Sequence, residues 1–392
     1  MRGSMKKGME EAGLARLADA TYSDLEKNKE CILRGRKKKV RNDVITWILP
    51  PVSHALKGGV RTVFMLAQNF SIKWGTLNNI VIYSHFGKIF DTSELYKSLR
   101  EFFPDLRFTI TVIVRGKDSA DKIPPSNAAF CTLWTTAYLL LKYNRTERKF
   151  YLMQDYEPVF YPAGTLYGLI EQTYRFGFSC IANTSGVGNK YKQYSCDVTI
   201  FSPGVDQKQF FPEPQKAEIG KPAKIVFYGR PSNPRNCFYL GLETLKAVKR
   251  KLHSHVEIIS VGEEWNEEDY GVKGIVENRG LLKTMDDVAL LYRSADLGLV
   301  YMMTPHPSYQ PLEYMASGCV TVTNINEPNQ WLLNEGNALL IEPNPEIAAQ
   351  KIHDLIKDNA GWMKLRNNGL NAVRELSWES VFSIVENRML SN

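Results

Sequence analysis

The strongest constraint on this chain is a pattern of strand-like and helix-like segments that alternate through two separate series. The first series opens with the apolar run Val44–Leu49 and ends near Phe201, and the second opens at residues 224–228. Strands that alternate with helices form βαβ units around a parallel sheet. With 392 residues, enough for two ordinary cores, the sequence predicts an α/β fold of two Rossmann-like domains, joined by the turn-rich segment 202–214. The predicted divisions are a lead-in with a tag remnant at 1–43, an N-terminal domain at 44–203, a C-terminal domain at 204–375 and a closing helix at 376–392.

Targeting and membrane signals point to a cytoplasmic chain. The longest apolar stretch, residues 128–141, is shorter than the ~20 residues that a bilayer span needs. We therefore interpret it as a buried helix. No positively charged start with an apolar signal core precedes it, so a cytoplasmic location is expected. Met1–Ser4 resembles the remnant of an expression tag and is excluded from the predicted fold.

Cysteine spacing and local charge limit the kinds of partner. The six cysteines form no CxxC pair and have no histidine at metal-ligand spacing, so neither a disulfide framework nor a metal site is predicted. The net charge of +7 is concentrated in the basic run at residues 34–41. Such a run is typical of a solvated segment; the alternative is peripheral contact with anionic lipid headgroups at the inner face of a membrane. Nucleic acid is not predicted as a partner, because no aromatic residue interleaves with these charges.

Two places in the first series carry candidate site residues. Gly58, Gly59 and Val60 follow the first strand, where bare main-chain N–H groups at a helix start can approach a phosphate or sugar. The alternative for the glycine pair is a flexible turn. Asp155 lies just beyond the strand at residues 150–153, at the strand end where α/β sheets bind ligands. It is a candidate base or sugar-orienting group, with a turn-capping carboxylate as the alternative and Glu157 as a weaker candidate.

The second series carries stronger signals for an anionic ligand. Gly229 and Arg230 end its first strand, and a guanidinium at a strand end offers a planar set of donors to a diphosphate. Lys283 follows a later strand and supplies a second candidate charge. A surface arginine in a turn is the alternative for Arg230.

The stretch from residue 295 to residue 323 is the most specific part of the sequence. A strand leads through His306 to Tyr309 and then to a short helix that carries Glu313. A carboxylate in the first turn of a helix lies against its positive end and can accept hydrogen bonds from ribose hydroxyls. The neighbouring N–H groups are free to bind phosphate. His306 is interpreted as a turn residue without a catalytic role.

Taken in order, these segments resemble the GT-B glycosyltransferases of glycosyltransferase family 4. The similarity covers residues 44–392 and depends on the ordered set, since each piece alone is weak. The matching pieces are Lys57 to Val60, Pro203 to Asp206, Phe211 with Pro212, Gly229 with Arg230, Ala295 with Asp296, Pro311 to Gly318, Gly336 to Leu340, and Ser377 to Glu379.

The resemblance implies a GT-B fold, with two Rossmann-like domains facing across a cleft and a C-terminal helix that returns to the N-terminal domain. It also implies a nucleotide diphosphate-sugar donor in the C-terminal domain, an acceptor on the N-terminal domain, retention of configuration and no metal or other cofactor. By position, Glu313 would bind the ribose, Arg230 the diphosphate, and Gly59 the distal phosphate. Two departures are present: Pro305 replaces a glutamate that the family often has, and Arg235 or Lys283 takes the place of its usual lysine.

The resemblance is greatest to bacterial rhamnosyltransferases of S-layer glycan assembly. It implies dTDP-β-L-rhamnose as the donor and a growing, oligosaccharide or lipid-linked rhamnan as the acceptor. No spacing or composition in this sequence identifies rhamnose by itself. Two alternatives stay open: a GT-B sugar-nucleotide 2-epimerase, and a non-catalytic protein that binds a sugar nucleotide.

Overall fold

Two compact units divide the chain. The first extends to Phe201 and includes the chain again from Phe382, and the second is Ser202–Val381. A computed structural model describes residues 10–56, 58–85, 87–194, 196–305 and 308–391. The sequence interpretations of Met1–Ser4, Lys57 and His306 therefore lie outside the described residues. Within the described ranges, no helix combines the length and the apolar composition that a membrane span requires.

A parallel seven-stranded sheet forms the centre of the first unit. Its strand order is β3-β2-β1-β4-β5-β6-β7, and every neighbouring pair is parallel. The strands are β1 (Val44–Leu49), β2 (Leu77–Ser84), β3 (Phe108–Val114), β4 (Ser126–Cys131), β5 (Thr146–Met153), β6 (Ser179–Asn183) and β7 (Val198–Phe201). The near-continuous apolar runs of these strands fit a sheet that is covered on both faces.

Helices connect these strands and cover the sheet. The helices before the second unit are α1 (Tyr22–Gly35), α2 (Val60–Trp74), α3 (Ser93–Phe102), α4 (Trp134–Lys142), α5 (Thr165–Thr173) and α6 (Ser185–Lys192). Helix α1 belongs to the lead-in before β1, and Thr21 begins it with a capping box that involves Asp24. The lead-in is thus a folded part of the first unit.

The apolar stretch at residues 128–141 is not one helix. Residues up to Cys131 belong to β4, and α4 begins only at Trp134. The prediction of a single buried helix was therefore wrong for its first part. A short apolar run has no periodicity that separates a buried strand from a buried helix, and β4 pairs with both β1 and β5 at the centre of the sheet.

The second unit repeats the same architecture with six strands. Its sheet is parallel, in the order β10-β9-β8-β11-β12-β13. The strands are β8 (Ala223–Gly229), β9 (Val256–Gly262), β10 (Glu277–Asn278), β11 (Leu297–Leu299), β12 (Val320–Asn324) and β13 (Leu339–Ile341). The helices that follow α6 are α7 (Phe238–Leu252), α8 (Met285–Ser294), α9 (Gln310–Ala316), α10 (Pro345–Lys357), α11 (Asn359–Val373) and α12 (Trp378–Leu390).

The last helix, α12, contributes its C-terminal part to the first unit. The carboxylate of Glu386 is buried and accepts hydrogen bonds from Nδ2 of Asn69, at 2.6 Å, and from the ammonium of Lys73. Arg388 forms an ion pair with Asp197, just before β7. These contacts confirm the expectation that the C-terminal helix returns to the N-terminal domain.

Each sheet has one point where the strand order reverses. In the first unit it lies between β1 and β4, and in the second between β8 and β11. The connections leaving these two strands run to opposite sides of the sheet, which opens a crevice at their carboxyl ends where α/β proteins bind ligands. The residues that follow these four strands are therefore where a site is expected.

Candidate functional site

Gly229 and Arg230 lie at the reversal point of the second sheet. Gly229 is the last residue of β8 and pairs with Gly262, the last residue of β9. The half-buried Arg230 follows it. Its Nη1 atom donates a long hydrogen bond of 3.4 Å to the hydroxyl of Tyr228, and its guanidinium carbon lies 5.8 Å from the centre of the same ring. The structure thus places Arg230, the predicted diphosphate-binding residue, at the edge of the sheet where α/β proteins bind ligands.

The two glycines leave this strand edge without side chains. A Cβ atom on Gly229 would be 2.3 Å from Oγ of the buried Ser260. Gly262 has φ +117, and a Cβ atom there would be 3.1 Å from Cγ of Arg230 and 2.8 Å from the ring of Tyr228. Neither glycine position therefore has room for a side chain, so close packing requires glycine at both strand ends.

Lys283 follows β10 at the same edge of the sheet. The loop that carries it is tied to β9, because the N–H of Gly262 donates to the carbonyl of Gly280 at 2.8 Å. Lys283 is exposed, and its ammonium makes no ion pair with any residue that the structure describes. The structure thus places the loops of Arg230 and Lys283 at one edge, with β9 between their strands.

Glu313 lies on α9, a buried helix of seven residues. The glutamate is 6% exposed, and its N–H donates to the carbonyl of Tyr309 at 3.0 Å. Burial raises the pKa of Tyr314 well above its usual range, and the negative charge of the Glu313 carboxylate adds to the rise. The Glu313 carboxylate therefore lies in an apolar, poorly solvated environment, where its hydrogen bonds are stronger than in water.

Tyr309 begins α9 and is held by an aromatic neighbour. Its ring stacks on Trp378 with centroids 6.1 Å apart and an interplanar angle of 21°. Trp378 is buried at the first residue of α12. Offset stacking of this kind fixes ring orientation, so Tyr309 has a defined position at the start of the Glu313 helix.

Two asparagines that the sequence interpretation missed fix the loop between β11 and α9. The side chain of the buried Asn324 accepts from the N–H of Met302 at 2.7 Å and donates to the Met302 carbonyl at 2.9 Å. Asn326 donates to the carbonyls of Met302 and Thr304, at 2.7 and 2.8 Å. The signal in the sequence was the pair of asparagines at the end of an apolar strand, β12. They hold in place the loop that contains Pro305.

The glycine pair of the first unit lies against β5. Gly58 has φ +51, a left-handed conformation with open space around it, and Gly59 begins helix α2 without a side-chain cap. A Cβ atom on Gly59 would be 2.5 Å from Oε1 of Gln154. Val60, the first helical residue, is half-buried. The structure thus brings the predicted glycine loop together with the residues that follow β5.

Asp155 and Glu157 are both buried after β5. Oδ1 of Asp155 accepts from the N–H of Tyr156 at 2.8 Å, which is the turn-capping arrangement considered for this residue. Glu157 accepts from the N–H of Trp134 at 2.6 Å and from the hydroxyl of Tyr151 at 2.9 Å. Glu157 therefore has a structural role in the first unit. The role of Asp155 as a base stays a prediction.

The predicted residues thus form two groups. Gly229, Arg230, Lys283, Tyr309 and Glu313 belong to the second unit. The glycine loop and Asp155 belong to the first unit. Among the described residues, no cluster of histidine, cysteine, aspartate or glutamate has the arrangement of a metal site.

Comparison with solved structures decides the fold. The structure of Anabaena Alr3699/HepE in complex with UDP and glucose matches with a TM-score of 0.70 at 15% sequence identity, over 90% of this chain and 100% of that chain. Sucrose-phosphate synthase (tll1590) from Thermosynechococcus elongatus matches with a TM-score of 0.67 at 15% identity, over 88% and 98%. The fold is GT-B.

Sequence comparison points in the same direction. Residues 223–353 match the family model described as the C-terminal domain of WsaF. The O-antigen biosynthesis protein RfbC of Myxococcus xanthus is 37% identical over 350 residues, which is 89% of this chain. The chain spans only 27% of the length of that relative. These similarities, with the fold, support a GT-B glycosyltransferase.

Proposed function

We propose that the chain is a glycosyltransferase that moves a sugar from a nucleotide diphosphate donor onto a hydroxyl of a growing glycan. The observation that carries the proposal is the position of Arg230, directly after the bare glycine end of β8 at the reversal point of the second sheet. HepE, which shares the fold, was solved with UDP and glucose, and RfbC is an O-antigen biosynthesis protein. The first supports a nucleotide and a sugar as ligands, and the second supports glycan synthesis as the process.

The donor would occupy the second unit. Glu313 would accept hydrogen bonds from the ribose hydroxyls, and Tyr309 would orient the start of its helix. Arg230 and the exposed Lys283 would neutralise the diphosphate, and the backbone at Gly229 would allow its close approach. In the proposal, the Gly58–Val60 loop contacts the distal phosphate and Asp155 orients an acceptor hydroxyl.

The proposed chemistry is a same-face substitution with retention of configuration. The acceptor oxygen bonds to C1 of the sugar while the bond from C1 to the phosphate oxygen breaks, and the hydroxyl proton passes to the leaving diphosphate. Negative charge develops on that diphosphate. Preorganised Arg230 and Lys283 stabilise it, as fixed charges do in many active sites. No metal takes part, so a chelator is expected to leave the transfer rate unchanged.

The proposed donor sugar is L-rhamnose, supplied as dTDP-β-L-rhamnose, and the proposed acceptor is a rhamnan such as an S-layer glycan. The match of residues 223–353 to the WsaF C-terminal domain supports this choice. Pro305 has no carboxylate to offer to a sugar hydroxyl, and Met303 nearby is 46% exposed. A deoxy sugar, with one hydroxyl fewer, is compatible with that lining.

Product analysis tests the proposal. The protein is incubated with dTDP-β-L-rhamnose, with and without a rhamnan oligosaccharide, and the products are followed by mass spectrometry and NMR. We expect an acceptor longer by one deoxyhexose, in the β configuration, together with one dTDP per transfer. Free sugar formed at the same rate without acceptor would indicate an epimerase or hydrolase, and dTDP-rhamnose bound but unchanged would indicate a binding protein. Either result overturns the proposal.

A further inference from the structure

A cavity of about 410 Å³ lies in the first unit, away from the carboxyl ends of its strands. Its lining includes Val44, Ser126 and Thr146, the first residues of β1, β4 and β5. In a parallel sheet these amino ends meet at the edge opposite to the one that carries Asp155. The cavity is therefore separate from the residues of the proposed transfer reaction.

Positive charge dominates the lining. Arg34, Lys38, Arg41 and Arg145 face two carboxylates, which are Asp43 and Glu147. The carboxylates are already paired, since Lys38 lies 3.0 Å from Glu147 and Arg41 lies 2.7 Å from Asp43. The cavity therefore holds two cations more than anions.

The excess charge belongs to two guanidinium groups. Nη1 of Arg145 donates to the carbonyl of Asp121 at 2.6 Å. Among the described residues, no carboxylate forms an ion pair with Arg145, so its charge has no counterion there. Arg34, in the last turn of α1, makes no ion pair with any residue within the described ranges. An anion bound between them could accept hydrogen bonds from two planar guanidinium groups, whose donor geometry suits phosphate oxygens.

The walls of the cavity are rigidly built. A Cβ atom on Gly35 would be only 1.6 Å from the carbonyl oxygen of Glu147, so the end of α1 packs directly on the start of β5. Oδ1 of Asn127 accepts from the N–H of Val44 at 3.0 Å. On the far side, Arg148 donates to the carbonyl of Arg41 at 2.8 Å. These contacts fix the backbone that carries Arg34 and Arg41.

We propose that this cavity binds a phosphate group, with Arg34 and Arg145 as its charge partners. The exposed Arg36, Lys37 and Lys39 adjoin it, and none of them pairs with a carboxylate in the described part of the chain. A ligand that carries many phosphates side by side would engage the cavity and these neighbours together, as the surface of an anionic membrane does. None of the described residues that line the cavity is aromatic, so these residues offer no stacking surface for nucleic-acid bases.

Vesicle sedimentation with the full chain tests this proposal. The probes are phosphatidylcholine vesicles, the same vesicles with phosphatidylglycerol, and inorganic pyrophosphate as a soluble source of phosphate. The variant is Arg34→Gln with Arg145→Gln, and the matched control is Lys357→Gln with Lys364→Gln, which removes two exposed charges from the second unit. We expect binding to the anionic vesicles to fall about thirtyfold in the variant, from ~1 kcal/mol per basic residue, and to persist in the control.

The other outcomes are equally decisive. Pyrophosphate that raises the melting temperature of the wild type but not of the variant, without vesicle binding, would support the phosphate site with a soluble ligand. Equal binding of every probe by the variant and the control overturns the proposal, as does Arg34-dependent binding of single-stranded DNA alone. Stabilisation by dTDP is measured in parallel and should match the wild type in both variants, which reports on the fold independently.

Discussion

A Cβ atom on Gly229 would lie 2.3 Å from Oγ of Ser260, so a strand of the second sheet ends at a residue that admits no side chain. The hydroxyl of Ser260 is buried and has no hydrogen-bond partner among the described residues. A buried hydroxyl without a partner is costly, and here it fills the space under the glycine. Only glycine therefore fits at the end of β8, directly before Arg230.

Replacing Gly229 with alanine tests this packing. We expect Gly229→Ala to lower the free energy of unfolding by ~1–3 kcal/mol, the usual cost of overpacking. The second substitution Ser260→Ala removes the Oγ atom that would clash with the new Cβ, and the double variant should recover most of the lost free energy of unfolding. Denaturant unfolding measures both, with Gly168→Ala as the control, since a Cβ atom there meets nothing within 4 Å. A loss that Ser260→Ala does not relieve would contradict the account of the contact.

Replacing Arg230 should lower the rate of sugar transfer and hardly change the stability of the fold. Its side chain contacts the ring of Tyr228 and little else, so we expect Arg230→Ala to change the free energy of unfolding by less than about 0.5 kcal/mol. The value of kcat/KM should fall ~10²–10³-fold, as when one preorganised donor is lost. Lys283→Ala should cost less, because Lys283 is exposed and screened by water.

The measurement is steady-state transfer with the donor below saturation. Arg374→Ala is the matched control, since Arg374 is an exposed arginine of the same unit that bonds to Asn371. Near-full activity of Arg230→Ala would remove this arginine from the proposed diphosphate site.

Because Lys149 is buried, we expect the stability of the fold to depend on pH. This lysine is 4% exposed, and its ammonium donates to Asn28 at 2.8 Å, to the carbonyl of Leu140 at 2.8 Å and to Asn144 at 2.9 Å. Burial lowers its pKa to about 8, below the ~10.4 of an unfolded chain. The folded protein therefore binds this proton more weakly than the unfolded chain does, which destabilises the fold below pH 8.

We thus expect the contribution of Lys149 to the free energy of unfolding to increase as the pH rises from about 8 to about 10. Denaturant unfolding at several pH values gives the free energy of unfolding as a function of pH. The slope of that free energy against pH is compared between the wild type and Lys149→Met, which has no titrating ammonium. Groups that titrate in the same range without interacting with Lys149 contribute equally to both proteins, so the comparison cancels them. Equal slopes in the two proteins would contradict the prediction.

Much of the fold could be predicted because it depends on local sequence patterns. The sequence pattern predicts strands at Val44–Leu49 and Phe108–Val114, and the structure has strands with these bounds. Apolar strands bounded by turn residues are strong signals. The sequence pattern also predicts a strand at residues 274–277, but β10 has only two residues, Glu277–Asn278. Gly274 adopts φ +72 in a turn, and only a two-residue ladder with β9 defines this edge strand.

The site was predictable only in part. The place of Gly229 and Arg230 at a strand end could be predicted, because a glycine and a cation that follow an apolar strand are visible in the sequence. The hydrogen bond between Asn324 and Met302 joins residues 22 positions apart in the sequence. Gly35 and Glu147, which are in contact, are separated by even more residues. Such contacts follow from strand order and helix placement, which no local pattern specifies.

Binding of dTDP to the isolated protein tests the central claim, a nucleotide site in the second unit, most directly. Isothermal titration compares the wild type with Glu313→Ala and with Glu335→Ala, a control at an exposed glutamate of the same unit. Hydrogen bonds to a charged group are worth ~1.5–3 kcal/mol, so we expect dTDP affinity to fall about tenfold to a hundredfold in Glu313→Ala and to stay unchanged in the control. Equal dTDP affinity in all three proteins, or no binding by the wild type, would contradict the account.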